Sequence, residues 1–118
     1  MRNYPVQILS AVDTSTQTGA GYFVGQAVAA SFTSIFADGS AAGTVKIQGS
    51  NEIPVGDPTQ FTPPTTSFSD IPSATSTIAS GVGPPIVLPT MNFQYIRAVY
   101  TSVSGGSSTV KVNMSALA

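Results

Sequence analysis

Cysteine, histidine and tryptophan are all missing from this chain. Without cysteine there is no disulfide and no thiolate nucleophile. Without cysteine and histidine together, the common zinc sites and imidazole acid–base chemistry are excluded as well. Charge is scarce: 8% of the 118 residues are Asp, Glu, Lys or Arg, against an average of about 25%. The four basic residues, Arg2, Lys46, Arg97 and Lys111, are scattered, and the net charge is -1. One copy therefore cannot supply the several cations that displace counterions from nucleic-acid phosphates. No apolar run approaches the roughly 20 residues of a membrane-spanning helix. The opening MRNYPVQILSAVDT is interrupted by Gln7 and Ser10 too early to read as a secretion signal.

What is present points to a small all-β protein. Hydrophobic residues make up 42% of the chain, enough for one core, and the length suits a single domain over 1–118. Polarity comes from Ser and Thr, roughly a quarter of all residues. A surface of hydroxyls and small side chains carries little desolvation cost and suits a chain covered by neighbours.

The stretch Phe93 to Thr101, FQYIRAVYT, is strand-forming by composition: Phe, Tyr, Ile, Val and Thr with no Gly, no Pro and one charge. Phe93, Tyr95, Arg97 and Val99 alternate with Gln94, Ile96, Ala98 and Tyr100, so both faces read as partly buried, as in a central strand. Thr109 to Leu117 alternates Val110, Val112 and Met114 with Lys111, Asn113 and Ser115. The SVSGGSS between the two runs predicts a hairpin. Tyr4 to Val12 reads as an opening strand, with Val6 and Ile8 on one side and Gln7 and Leu9 on the other. Tyr22 to Gly25 adds a short strand. Gln26 to Phe36 follows, with Val28, Ala30, Phe32 and Ser34 on one face; a short helix at Gln26 to Ala30 is the alternative. Phe36 to Ile53 predicts a second hairpin, with Asp38, Gly39 and Gly43 in its loop and Val45 and Ile47 turned inward. The predicted inward set is Val6, Ile8, Val28, Phe32, Val45, Ile47, Ile96, Val99, Val110 and Val112.

Eight of the nine prolines fall between Pro54 and Pro89. Proline removes ladder donors, so this segment predicts an extended excursion with two short strands, near Ser76 to Ala79 and Ile86 to Leu88. Long loops of this kind are functional or pinned from outside. The expectation here is pinning by a neighbouring subunit, with Thr62, Phe68 and Ile71 laid against it.

Catalytic chemistry has little to work with. Asp13, Asp38, Glu52, Asp57 and Asp70 are the only acids, and Glu52 with Asp57 or Asp70 is the only nearby set for paired-carboxylate work. They lie on the Pro-rich excursion with no Trp platform for a sugar, and read as solvated turn residues. Arg97, set among Tyr95, Ile96, Val99 and Tyr100, must be paired or must reach an edge. It is either bridged to an acid or stacked on Tyr95 within the domain, or it makes a contact between subunits.

The stretches GTVKIQGSNEI (Gly43 to Ile53), SDIPSATSTIASG (Ser69 to Gly81) and FQYIRAVYTSVSGGSSTVKV (Phe93 to Val112) resemble small β-sandwich virion proteins of tailed double-stranded DNA bacteriophages. The resemblance covers about half the chain and is one of strands and turns. In similar chains a Trp is common in the loop after the "QGSN" strand, where this chain offers only Phe61 or Phe68. The resemblance implies a non-enzymatic structural protein without cofactor, metal or catalytic residues. It would be present in many copies as a capsid decoration or cement protein on the virion surface, assembled in the host cytoplasm. Its expected partners are the major capsid protein and copies of itself, with no nucleic acid and no membrane. A tail, neck or head-fibre component is the alternative, with a glycan contact through Tyr22 or Tyr4. Arg97, Tyr95, Phe61, Phe68 and Ile71 are the candidate inter-subunit contacts. The expected fold is an antiparallel, jelly-roll-like β-sandwich of about seven to eight short strands.

Overall fold

The computed structural model describes residues 3–13, 16–25, 27–37, 39, 41–54, 56, 62–104 and 108–117. Nine strands follow in order: β1 (Asn3–Asp13), β2 (Gln17–Thr18), β3 (Tyr22–Phe23), β4 (Ala29–Phe36), β5 (Ala42–Ser50), β6 (Ser69–Ile78), β7 (Ile86–Leu88), β8 (Tyr95–Ser104) and β9 (Ser108–Leu117). Among the described residues there is no helix, so Ala29 and Ala30 join a strand.

Two antiparallel sheets face each other. One has the order β1-β9-β4-β7 and the other β2-β8-β5-β6, with β3 also on β8. Thr18 lies opposite Val99 and Tyr22 opposite Ile96, so β2 and β3 follow one another along the same edge of β8. Taken as one interrupted strand they bring the total to eight, in the two four-stranded sheets of a jelly roll. Every connection except β2 to β3 and β5 to β6 crosses from one sheet to the other.

This crossing corrects both predicted hairpins. Strand β8 pairs with β5 on one side and with β2 and β3 on the other, so it has no edge left for β9. Strand β9 is instead the second strand of the opposite sheet, between β1 and β4. In the same way β4 and β5 belong to different sheets. Alternation fixes which residues face inward, but a turn-rich link suits an arch across a sandwich as well as a hairpin. Gly105 and Gly106, on which the first hairpin rested, and Asp38 in the second lie outside the described residues.

The core fills the space between the sheets. From one side come Ile8, Leu9, Ala30, Phe32, Ile86, Leu88, Val110, Val112, Met114 and Ala116, and from the other Val45, Ile47, Ile71, Ala74, Ile78, Ile96, Ala98 and Tyr100. Each fully buried aliphatic or aromatic side chain contributes about 1.5–3 kcal/mol of transfer free energy. Val6 packs at the rim of this cluster. Val28 does not belong to it and is 45% exposed, because β4 begins only at Ala29. Leu9, expected outward, is buried beside Ile8 because the β1–β9 register shifts between Gln7 and Leu9, and a bulge turns two successive residues inward.

The Pro-rich segment is more ordered than its prolines suggest. Strand β6 spans ten residues and includes Pro72, yet it is an edge strand, where a missing donor is tolerated. Lys46 lies opposite Thr75 and Gln48 opposite Asp70, so two steps along β5 match five along β6 and three residues are extra. Pro72 and Ser73, the latter at φ 64°, sit in that bulge. After β6, Ser80 and Gly81 both take positive φ, 51° and 73°, and close a two-residue turn between Ala79 and Val82. Strand β7 forms at Ile86–Leu88 as expected.

Burial therefore separates two positions the alternation had grouped. Phe32→Ala is expected to lower unfolding free energy by about 3–5 kcal/mol, whereas Val28→Ser stays within about 0.5 kcal/mol of the native chain. Urea unfolding of both variants checks this, and equal losses would contradict the placement of Val28.

Candidate functional site

On the outer face of the β2-β8-β5-β6 sheet, side chains from three adjacent strands are joined by hydrogen bonds, and a loop adds one carbonyl and one aromatic ring. The registers that align Gln48 with both Arg97 and Asp70 set the geometry. Lys46 Nζ lies 3.3 Å from both Asp70 carboxylate oxygens. Gln48 Nε2 donates to Asp70 Oδ1 at 2.8 Å, and Gln48 Oε1 accepts from Arg97 Nε at 2.7 Å. The Arg97 guanidinium lies 4.4 Å from the centroid of the Phe68 ring, and its Nη1 makes a long, 3.4 Å contact with the Thr65 carbonyl oxygen. Gln48 thus links a cation to a carboxylate that does not touch it.

This arrangement corrects two expectations for Arg97. The ring it stacks on is Phe68, not Tyr95, and its link to an acid runs through an amide. Tyr95 is 2% exposed, although it points away from the sandwich core, and meets Phe23 edge-on with ring centroids 5.6 Å apart. Phe68 is half-buried. Ile71 is buried in the core, on the inner face of β6. The face brings Arg97 and Phe68 into contact, with Tyr95 two residues along β8, and leaves Ile71 on the other side of the sheet. Phe61 lies outside the described residues.

Lys46, Gln48 and Thr65 were not singled out by sequence as site residues, and Asp70 was weighed only as a catalytic carboxylate. Lys46 and Gln48 did read as outward-facing, but the bulge in β6 decides that Asp70 reaches them, and no periodicity reveals it. Asp70 is held below the ordinary aspartate range, first by the hydrogen bond from Gln48 and then by Lys46. The Lys46–Asp70 pair is exposed, 35% and 61% at the two side chains, so solvent screens it and it adds little to stability.

The carboxylates weighed for catalysis are engaged separately. Asp70 belongs to the chain just described, and Glu52 accepts a hydrogen bond from the Ser67 hydroxyl. Asp57 lies outside the described residues. Among the described residues no group of three or more His, Cys, Asp or Glu side chains could hold a metal ion. No helix of the described residues is long and apolar enough to cross a membrane. The opposite sheet carries a shallow groove of about 270 Å³ on its outer side, lined mainly by small and apolar residues including Ala29, Ser31, Val87 and Leu117.

No known sequence family matches this chain, and no curated protein matches it. Among solved structures, the SPBc2 prophage-derived protein YomS is similar in fold. The likeness covers 99% of this chain and 94% of YomS, with a TM-score of 0.62 and 13% sequence identity.

The depressed Asp70 gives a pH dependence of defined sign. Its contribution to stability is fully present above the ordinary aspartate value of 3.8 and is lost as pH falls through the lower folded value. Asp70→Asn should therefore flatten the acid side of the native stability profile. Thermal melts across the acid range check this, and an identical acid slope in the variant would contradict it.

Proposed function

We propose that this chain is a non-enzymatic structural protein of a bacteriophage particle, a decoration or cement subunit bound to the head shell in many copies. The observation that carries the reading is the end-to-end likeness in fold to YomS, a protein described as prophage-derived. The resemblance of the Gly43–Ile53, Ser69–Gly81 and Phe93–Val112 stretches to small β-sandwich virion proteins points the same way. The surface supports it physically. Few charges are present, and Lys46, Asp70 and Arg97 are engaged inside the subunit. The outer face of the β1-β9-β4-β7 sheet offers Ser31, Ser115, Ala29, Thr33 and Val87, which can be covered without stripping water from charges. In this reading the partners are the major capsid protein and copies of the same chain, at symmetry-related positions.

Quantitative mass spectrometry of purified particles tests the proposal, as copies of this chain per copy of the major shell protein. A simple symmetric fraction is expected. A ratio on the order of one in a hundred would move the chain to the tail, neck or a fibre. Absence from the particle would overturn the reading.

A further inference from the structure

Strands β5 and β6 are direct neighbours, with Gly49 opposite Ser69, yet residues 51–68 separate them. A link between adjacent antiparallel strands needs only two to five residues, so most of this segment is not required to close the sheet. Its last part, residues 62–68, lies back over the outer face of its own sheet. Phe68 and Pro63 come so close to Gly21 that a Cβ there would lie 2.9 Å from each.

Among the described residues, side chains and one carbonyl fasten residues 62–68. Phe68 lies on the Arg97 guanidinium, Thr65 offers its carbonyl to Arg97, and the Ser67 hydroxyl donates to Glu52. Among the described residues no backbone-to-backbone hydrogen bond ties this segment to a strand. None of its residues belongs to the core cluster, and Thr62, Thr65, Thr66 and Ser67 are exposed. Lifting the segment therefore opens no cavity between the sheets. Local opening is drawn from regions of this kind, with few buried apolar contacts and no ladder bonds.

We propose that residues 62–68 form a strap that opens independently of the sandwich, with Arg97 as its latch. Gln48 holds the latch in position, since it accepts from Nε while Cζ lies over the Phe68 ring. Closed, Arg97 and Phe68 satisfy each other within the subunit. Open, both turn to solvent while the core stays packed. The use of this opening in docking rests on the shell-binding reading above, but the independence of the strap does not, so particle composition and the following test fail separately.

The chain has no tryptophan, so Phe68→Trp places a single Trp on the strap, excited at the red edge of its absorption to exclude the four tyrosines. In a urea titration the red shift of its emission is expected at lower denaturant than the loss of the far-ultraviolet β-sheet signal. Adding Arg97→Gln, or separately Gly21→Ala, should raise acrylamide quenching of the Trp while the β-sheet spectrum is retained. Gly21→Ala pushes on residues 63 and 68 of the strap and leaves Arg97 in place, so it decides the matter if the Arg97 variant does not fold. Coincident transitions, or quenching that neither substitution changes, would overturn the proposal.

Discussion

The burial of β8 on both faces is the constraint on which the rest of this structure depends. Ile96, Ala98 and Tyr100 enter the core between the sheets, while Tyr95 and Val99, pointing the other way, are also buried. A strand covered on two sides in a chain of this size needs neighbours at both edges and a second layer over its outer face. Strands β5, β2 and β3 supply the edges. Phe23 and Phe68 supply part of the outer layer. Gly43 shows how closely β5 must approach: a Cβ there would run into the Thr101 carbonyl oxygen on β8.

The outer layer also carries Lys46, Asp70 and Arg97, three of the nine charged residues of the chain. A guanidinium in the middle of such a strand is costly unless each face of it is occupied. Here the Phe68 ring lies under Cζ and Gln48 accepts from Nε. Because the amide bonds Arg97 on one side and Asp70 on the other, the charges are joined without direct contact across β8, β5 and β6. The two faces of the molecule consequently differ in kind. One is a polar network covered in part by its own loop, and the other presents Ser31, Ser115, Ile35 and Val87, with Lys111 on the interior strand β9.

Much of this was legible in the residues themselves. The strand composition of FQYIRAVYT and its two apolar faces marked β8 as central, and the alternation in TVKVNMSAL placed Val110, Val112 and Met114 inside. The prolines correctly excluded a central strand from residues 54–89, though not a ten-residue edge strand, because edge and centre are distinguished only by topology. Strand partners were the main failure. Gly-rich links at both predicted hairpins fit an arch as well as a turn, and a period of two is silent about which sheet a strand joins. Bulges account for most of the remainder. The one in β1 turns Leu9 inward, and the one in β6 puts Asp70 within reach of Gln48.

Strands β8 and β9, neighbours in sequence, lie in opposite sheets, and the rest of the topology follows from that separation. The absence of cysteine makes a direct test clean. Ser31 and Ser115 face each other on the outer side of β4 and β9, at a separation a disulfide can bridge, about 4.5–5.5 Å between Cα atoms of opposed residues. A Ser31→Cys, Ser115→Cys double variant should form an intramolecular disulfide under mild oxidation. A Thr101→Cys, Thr109→Cys pair, which a β8–β9 hairpin would place opposite one another, should stay reduced. The reverse pattern, with 101 linked to 109 and 31 free of 115, would contradict the sandwich as described.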